Sequence, residues 1–209
     1  MHADERVRYG KRPAAHGMRI RVFADPNASK VMRIFDGLPL APRRANAPGG
    51  NVSAFEIRSA NESDTQRIFE VHLDSVTRLC AADYSREQIA SWLDGRTPAM
   101  YLDAIGRHAL WVADDGDVLG FAETAGEELT KLFVRGDRAR SGAGQALLET
   151  AVSGIARDGC ARVYLEATTN AVPFYERHGF AVIGTGHFSH GNSPIQLEIV
   201  KMEKWLSRE

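Results

Sequence analysis

Residues 131–148, KLFVRGDRARSGAGQALL, constrain this chain more than any other stretch. An apolar strand pattern runs into a loop with three arginines and two spaced glycines, Gly142 and Gly144. The loop opens directly into a helical pattern. A helix N-terminus offers unpaired backbone N–H groups and about half a positive charge. Glycines let a phosphate come close to that backbone, and Arg138 and Arg140 add charge-assisted contacts. The segment therefore reads as an anion site. It is not a dinucleotide fingerprint, because no third glycine stands at the required spacing. It is not a Walker loop, because no Gly-Lys-Ser/Thr follows. Taken alone, the same residues read equally well as a glycine turn before an ordinary helix.

The surrounding pattern gives the segment a frame. Residues 54–58 alternate like a half-buried strand. Asn61 caps a helix whose apolar side carries Ile68, Val71, His72, Ser75, Val76 and Leu79. Ser85 caps a second helix through Ile89 and Trp92, and Pro98 opens a short third one. Strands at 109–113 and 118–123 flank the turn Asp114-Asp115-Gly116-Asp117. A strand at 129–134 leads into the glycine loop and a helix bearing Leu147, Leu148, Ala151, Val152 and Ile155. A strand at 162–167, a short helix at 172–178 and strands at 181–186 and 195–202 complete the order. This alternation predicts an α/β or α+β domain built on a mixed sheet.

The chain divides by charge. Residues 1–53 carry ten Lys/Arg against four Asp/Glu and five of the eight prolines, while residues 54–209 carry sixteen against twenty-three. With Asn46-Ala47-Pro48-Gly49-Gly50-Asn51 as a linker, residues 1–53 read as a basic, weakly ordered or loosely docked extension. Residues 54–209 read as the folded domain. The overall charge of -1 exerts no general pull on nucleic acid or membrane. The extension lacks the interleaved aromatics of a nucleic-acid surface. No apolar run approaches the roughly 20 residues of a membrane span, and no signal-peptide core opens the chain. Two cysteines make no disulfide framework. These readings predict a cytoplasmic protein with neither a nucleic-acid nor a membrane partner, and they leave a homodimer open.

Beyond the glycine loop stands Asn170-Ala171-Val172-Pro173-Phe174-Tyr175-Glu176-Arg177-His178-Gly179-Phe180. Together the two segments resemble the GNAT superfamily of acetyl-coenzyme A-dependent N-acetyltransferases. The resemblance covers residues 54–206. It implies a GNAT-like fold: a mixed, mostly antiparallel central sheet with helices on both faces. It also implies acetyl-coenzyme A as co-substrate. Backbone on Leu132, Phe133 and Val134 and the loop Arg138, Ala139, Arg140, Ser141, Gly142, Ala143, Gly144 and Gln145 would hold the cofactor, and Tyr175 would face its sulfur. Two departures stand out. The loop's first Arg/Gln position is Ala139, with Arg138 and Arg140 on either side. The family's asparagine seven residues before the tyrosine is Thr168, with Asn170 two later, so one of these would replace that polar contact.

The chemistry adds its own demands. Acetyl transfer to an amine requires a neutral amine, and removing the proton from a lysine-like ammonium at pH 7 costs about 4–5 kcal/mol. Glu128, opening the strand before the loop, and Glu123, closing the preceding strand, are candidate bases. Their plainer reading is a pair of solvated strand ends. Glu127 should face away, since strand neighbours alternate. A backbone N–H on 132–134 suits the carbonyl oxygen as it turns negative. Tyr175 suits the departing thiolate as a proton donor, against the plainer reading of a packing aromatic. His187 and His190 form an H-x-x-H pair without a third ligand, so no metal is predicted. Cys80 and Cys160 have no histidine pattern beside them, which favours direct transfer in a ternary complex. The acceptor should lie between 62–105 and the C-terminal strands, near Cys80, Tyr84, Trp92, Met100 and Tyr101. The expected activity is N-acetylation of a small-molecule primary amine. The alternatives are a protein or peptide amine acceptor and a non-catalytic acyl-coenzyme A-binding module.

Overall fold

The computed structural model describes residues 55–191 and 193–207. The expected extension at 1–53 lies outside the described residues. Chain order is β1 (Glu56–Ser59), α1 (Thr65–Leu79), α2 (Arg86–Leu93), α3 (Leu102–Gly106), β2 (Leu110–Asp114), β3 (Val118–Ala125), β4 (Glu128–Val134), α4 (Ala143–Arg157), β5 (Arg162–Thr168), α5 (Val172–Arg177), β6 (Ala181–Phe188) and β7 (Leu197–Trp205).

Local chemistry sets the helix starts. Asn61 Oδ1 accepts from Ser63 N at 3.0 Å, and Asp64 Oδ2 accepts from Asn61 N at 2.9 Å. This reciprocal cap begins a 3-10 turn that runs into α1. Ser85 and Gln88 form the same kind of box at α2, at 3.1 and 2.9 Å. Pro98 opens a 3-10 turn that leads into α3. Several strand boundaries differ from the sequence expectation, most clearly in the last two strands. β7 begins at Leu197, not 195, because the Ile195 N–H turns to Ser193 Oγ at 3.1 Å. It runs on to Trp205 because β5 supplies partners that far, Trp205 lying opposite Arg162. β6 likewise extends to Phe188, opposite Leu197.

The seven strands form one sheet in the order β1-β2-β3-β4-β5-β7-β6. Every neighbouring pair is antiparallel except β4 with β5. Helices cover both faces. On one, Leu147, Leu148, Ala151 and Ile155 of α4 pack with Ala122, Leu129, Leu165 and Met202, and Tyr175 and Phe180 join them. Truncating Leu147 or Leu148 to Ala in such a core costs about 2–5 kcal/mol. On the other, Ile68, Val71 and Tyr101 pack with Leu110, Val112 and Phe121. Beside them Val76, Cys80, Tyr84 and Trp92 pack with Leu197. Gly120 on β3 permits the close layering: a Cβ there would stand 2.8 Å from the Phe133 carbonyl oxygen and 3.1 Å from Leu147 Cδ1.

One irregularity shapes the centre of the sheet. Glu123 lies opposite Lys131 and Thr124 opposite Leu129, so Thr130 is an extra residue in β4. Such a bulge bends its strand. The parallel pairing of β4 with β5 covers Glu128 with Tyr164 and Leu129 with Leu165, and there it stops. From Thr130 onward the two strands diverge.

Candidate active site

The divergence leaves one edge of β4 without a strand partner from Thr130 to its end. Arg135 N donates to Leu119 O on β3 at 2.8 Å. Alternation along the antiparallel pair then turns the N–H groups of Val134 and Leu132 away from β3, into the gap. The Leu132 and Val134 side chains join the α4-side core. The Phe133 side chain goes to the other face, with its ring 4.2 Å from His72.

At the end of β4 the chain delivers the first turn of α4. Gly142, the residue before the helix, is left-handed at φ 91° and provides no side-chain cap. Ala146 N makes the first intrahelical bond, to Gly142 O at 3.1 Å. The N–H groups of Gly144 and Gln145 precede it and have no intrahelical acceptor. Ala143 N meets Ser141 Oγ at a long 3.4 Å, and no acidic residue stands in this turn. Arg140 is itself left-handed at φ 66°, exposed, and without an ion pair among the described residues. Arg138 is exposed and pairs with Asp115 at 3.3 Å. Ala139 continues the exposed loop, and Gln145 Nε2 donates to Glu149 at 2.9 Å.

β5, α5 and the α1–α2 connection stand across the gap. Thr168 ends β5. Asn170 Nδ2 donates to Leu79 O at 2.9 Å, tying this turn to the end of α1. Tyr84 Oη donates to Glu198 O at 2.6 Å and accepts from Thr169 N at 3.2 Å. Tyr175 is buried against Phe174 and Phe180, and burial pushes its phenol well above the ordinary value. It is therefore protonated at neutral pH and able to donate.

The candidate carboxylates differ in environment. Glu123 is buried, and its Oε1 accepts from Lys131 Nζ at 2.6 Å and from Thr130 Oγ1 at 3.0 Å. Its Oε2 is enclosed without a partner among the described residues. Glu128 is half-buried and makes no ion pair among the described residues. Burial, and then the charge of Glu166, raise its pKa, with Lys131 opposing. Glu127 is occupied by Arg162, at 2.7 Å.

The α1 face adds His72, which sequence reading assigned only to a helical core stripe. His72 is almost fully buried. Its Nδ1 is 2.8 Å from Tyr101 Oη, and its Nε2 is enclosed without a partner among the described residues. Trp92, Tyr101, Phe121 and Phe133 surround its ring, and Phe188 meets Trp92. Burial holds His72 well below its ordinary pKa, with the charges of Arg96 and Lys131 adding to it. Helical spacing placed His72 on a core stripe, and its enclosed nitrogen left no mark on that spacing.

The description "Acetyltransferase (GNAT) domain" matches residues 80–204 of the chain. The chain belongs to this family. It is an N-acetyltransferase whose acetyl donor is acetyl-coenzyme A. A protein described as uncharacterized N-acetyltransferase YafP, from Escherichia coli K12, is 25% identical over 129 residues, 61% of this chain and 82% of that one. The crystal structure of a PaiA N-acetyltransferase from Thermoplasma acidophilum, in complex with coenzyme A, is similar at 26% identity. Its TM-score is 0.61, covering 73% of this chain and 99% of that one. A putative acetyltransferase, yncA of Salmonella typhimurium, with acetyl-coenzyme A, shares the fold at 16% identity and TM-score 0.58, covering 75% and 96%.

The residues present suit this donor. Its diphosphate requires backbone donors and clearance, and the first turn of α4 offers free N–H groups with no acidic residue in that turn. Its extended amide-bearing arm requires an unpaired strand edge, and β4 past Leu129 offers one.

Proposed function

We propose that this GNAT enzyme acetylates the primary amine of a small molecule by direct attack in a ternary complex. The observation that carries this reading is the surroundings of the gap between β4 and β5. Carboxylates lie at its narrow end, and an aromatic-lined α1 face lies beside it. Acetyl-coenzyme A supplies the activated acetyl group. The N–H groups of Leu132 and Val134 are suited to receive negative charge on a carbonyl oxygen. Glu128 is the preferred base. A carboxylate with a raised pKa accepts a proton more readily, whereas Glu123 is already engaged by Lys131 Nζ at 2.6 Å. Tyr175 is the acid for the leaving group.

Covalent transfer through cysteine has little support. Burial, and then Asp83, raise the Cys80 thiol to about 11, so thiolate is scarce at neutral pH. Initial-rate kinetics over varied acetyl-coenzyme A and amine test the sequence of events. Intersecting reciprocal plots are expected, and parallel plots would support an acetyl-enzyme instead. Turnover of peptide amines with none of a small-amine panel would replace the acceptor reading by the peptide alternative.

A further inference from the structure

Arg96, just past the end of α2, differs from the other half-buried arginines among the described residues. Arg58 holds Asp64 at 2.8 Å and Asp114 at 2.6 Å. Arg135 holds Asp117 at 2.7 Å. Arg162 holds Glu127 at 2.7 Å and Glu203 at 2.9 Å. Arg96 has no carboxylate partner among the described residues. Its Nε donates to Trp92 O at 2.6 Å, and Nη1 stands 4.0 Å from Met100 Sδ. The Nη1–Nη2 end of the fork is therefore left without an oxygen partner among the described residues, while the Nε bond fixes the plane of the group. Burial pushes this guanidinium below its ordinary pKa. A buried charge is costly unless something pairs with it.

The neighbours define what would complete it. The charge of Arg96 reaches His72, Tyr101 and His190. Burial is the main cause that keeps both histidines below their ordinary value, and the Arg96 charge adds to it. Lys131, the other cation of this face among the described residues, is paired with Glu123 at 2.6 Å. Asp94 is exposed and forms no ion pair with Arg96 among the described residues. The local sum is one uncompensated positive charge on a planar two-pronged donor. It lies beside aromatic rings and the enclosed, unpartnered Nε2 of His72. One charge suits a monoanion better than a phosphate dianion. The fork matches the two oxygens of a carboxylate, and the rings suit an organic body.

We propose that the acceptor amine of this enzyme also carries a carboxylate, as an amino acid does, and that Arg96 receives that carboxylate beside His72. The proposal rests on the small-molecule reading given above. It makes Arg96 a specificity-determining residue that selects the acceptor and takes no part in the proton transfers.

Steady-state kinetics of the full chain with acetyl-coenzyme A test it. The acceptors are matched trios: an amino acid, its carboxamide and the amine lacking the carboxyl group, over several side chains. The acid member is expected to show kcat/KM about 10- to 100-fold above its carboxamide, the range for one charge-assisted pair. Arg96→Ala should collapse that ratio towards one, and Arg96→Lys should restore part of it. Thermal melting of each variant establishes that it is folded, and the wild-type ratio needs no variant at all. A wild-type ratio at or below one overturns the carboxylate subsite while the small-amine reading stands. So does a ratio that survives Arg96→Ala. Turnover of peptide amines with no member of any trio overturns both.

Discussion

Burial raises the pKa of both Tyr175 and Glu128 and so favours the neutral form of each. The Tyr175 hydroxyl makes no hydrogen bond among the described residues, although its ring is enclosed by Phe174 and Phe180. Tyr175→Phe should thus keep its melting temperature. As an acid used mainly in the transition state, it should lose about 100-fold in kcat with KM little changed. Steady-state kinetics beside thermal melting separate this from a packing tyrosine, for which kcat stays near wild type. Glu128 has a pKa raised above 4.5, chiefly by burial and then by Glu166. Its ionised form is therefore disfavoured by the fold. The stability that the neutral carboxyl allows is present below the unfolded value and lost as pH rises through the folded one. Glu128→Gln should raise the melting temperature at pH 7 by about a degree or two, and this gain should vanish near pH 4. The same variant should lose about 100-fold or more in kcat/KM and the acid limb of the pH profile. A loss of stability with activity retained would remove Glu128 from the mechanism.

β4 and α4 act as one device: a bulge opens the strand edge, and the loop beyond it turns helix N–H groups toward the same side. The backbone at Gly142, φ 91°, is one that a branched side chain tolerates poorly. Gly142→Val should cost about 1–2 kcal/mol in stability and raise the acetyl-coenzyme A dissociation constant about tenfold or more. Calorimetric titration of the folded variant checks this, and unchanged affinity would remove the anion site from this turn. Gly144 is a different case. A Cβ there meets Val134 Cγ2 at 3.5 Å and Phe174 Cε2 at 3.8 Å, ordinary contact distances. Gly144→Ala should therefore fold with stability equal to wild type or up to about 1 kcal/mol higher, from helix propensity.

At the scale of the whole molecule, charge pairs tie distant segments of the sheet together. Arg58 on β1 donates to both oxygens of Asp64, ahead of α1, at 2.8 Å each, and its Nε reaches Asp114 at the end of β2 at 2.9 Å. The Arg58 bond holds Asp64 below its ordinary 3.8. A depressed carboxylate contributes stability above its unfolded pKa and loses it as pH falls through the folded one. Arg58→Gln should cost about 2 kcal/mol at pH 7, the partial exposure of the arginine reducing the figure for a fully buried pair. Melting curves should converge with wild type as pH falls below 3.8. An equal deficit at every pH would show that packing of the arginine stem, and not the charge, holds the segments.

Much of this protein was legible in local sequence, because the physics involved is local. Asn61 and Ser85 cap helices through neighbours three residues on. The stripe at Ile68, Val71, His72 and Val76 is a matter of helical period. Gly142 before an apolar helical face announces a left-handed turn and free N–H groups wherever the segment sits in space. The family resemblance drew on these same short-range patterns, so fold and acetyl donor followed from them. Other features depended on residues far apart in the chain. The register that makes Thr130 an extra residue is set by β3, and the pairing of β4 with β5 ends at Leu129. Glu123 and Glu128 looked alike as strand-end acids, and only tertiary packing set Lys131 of β4 against Glu123 and left Glu128 half-buried near Glu166 of β5. His72 lies on a helix whose periodicity explains its position, and Arg96 lies in the connection just past α2. Tertiary packing alone enclosed one among aromatic rings and left the other without a carboxylate partner among the described residues. The electrostatic state of a side chain depends on which groups replace its water, and no spacing along the chain encodes that.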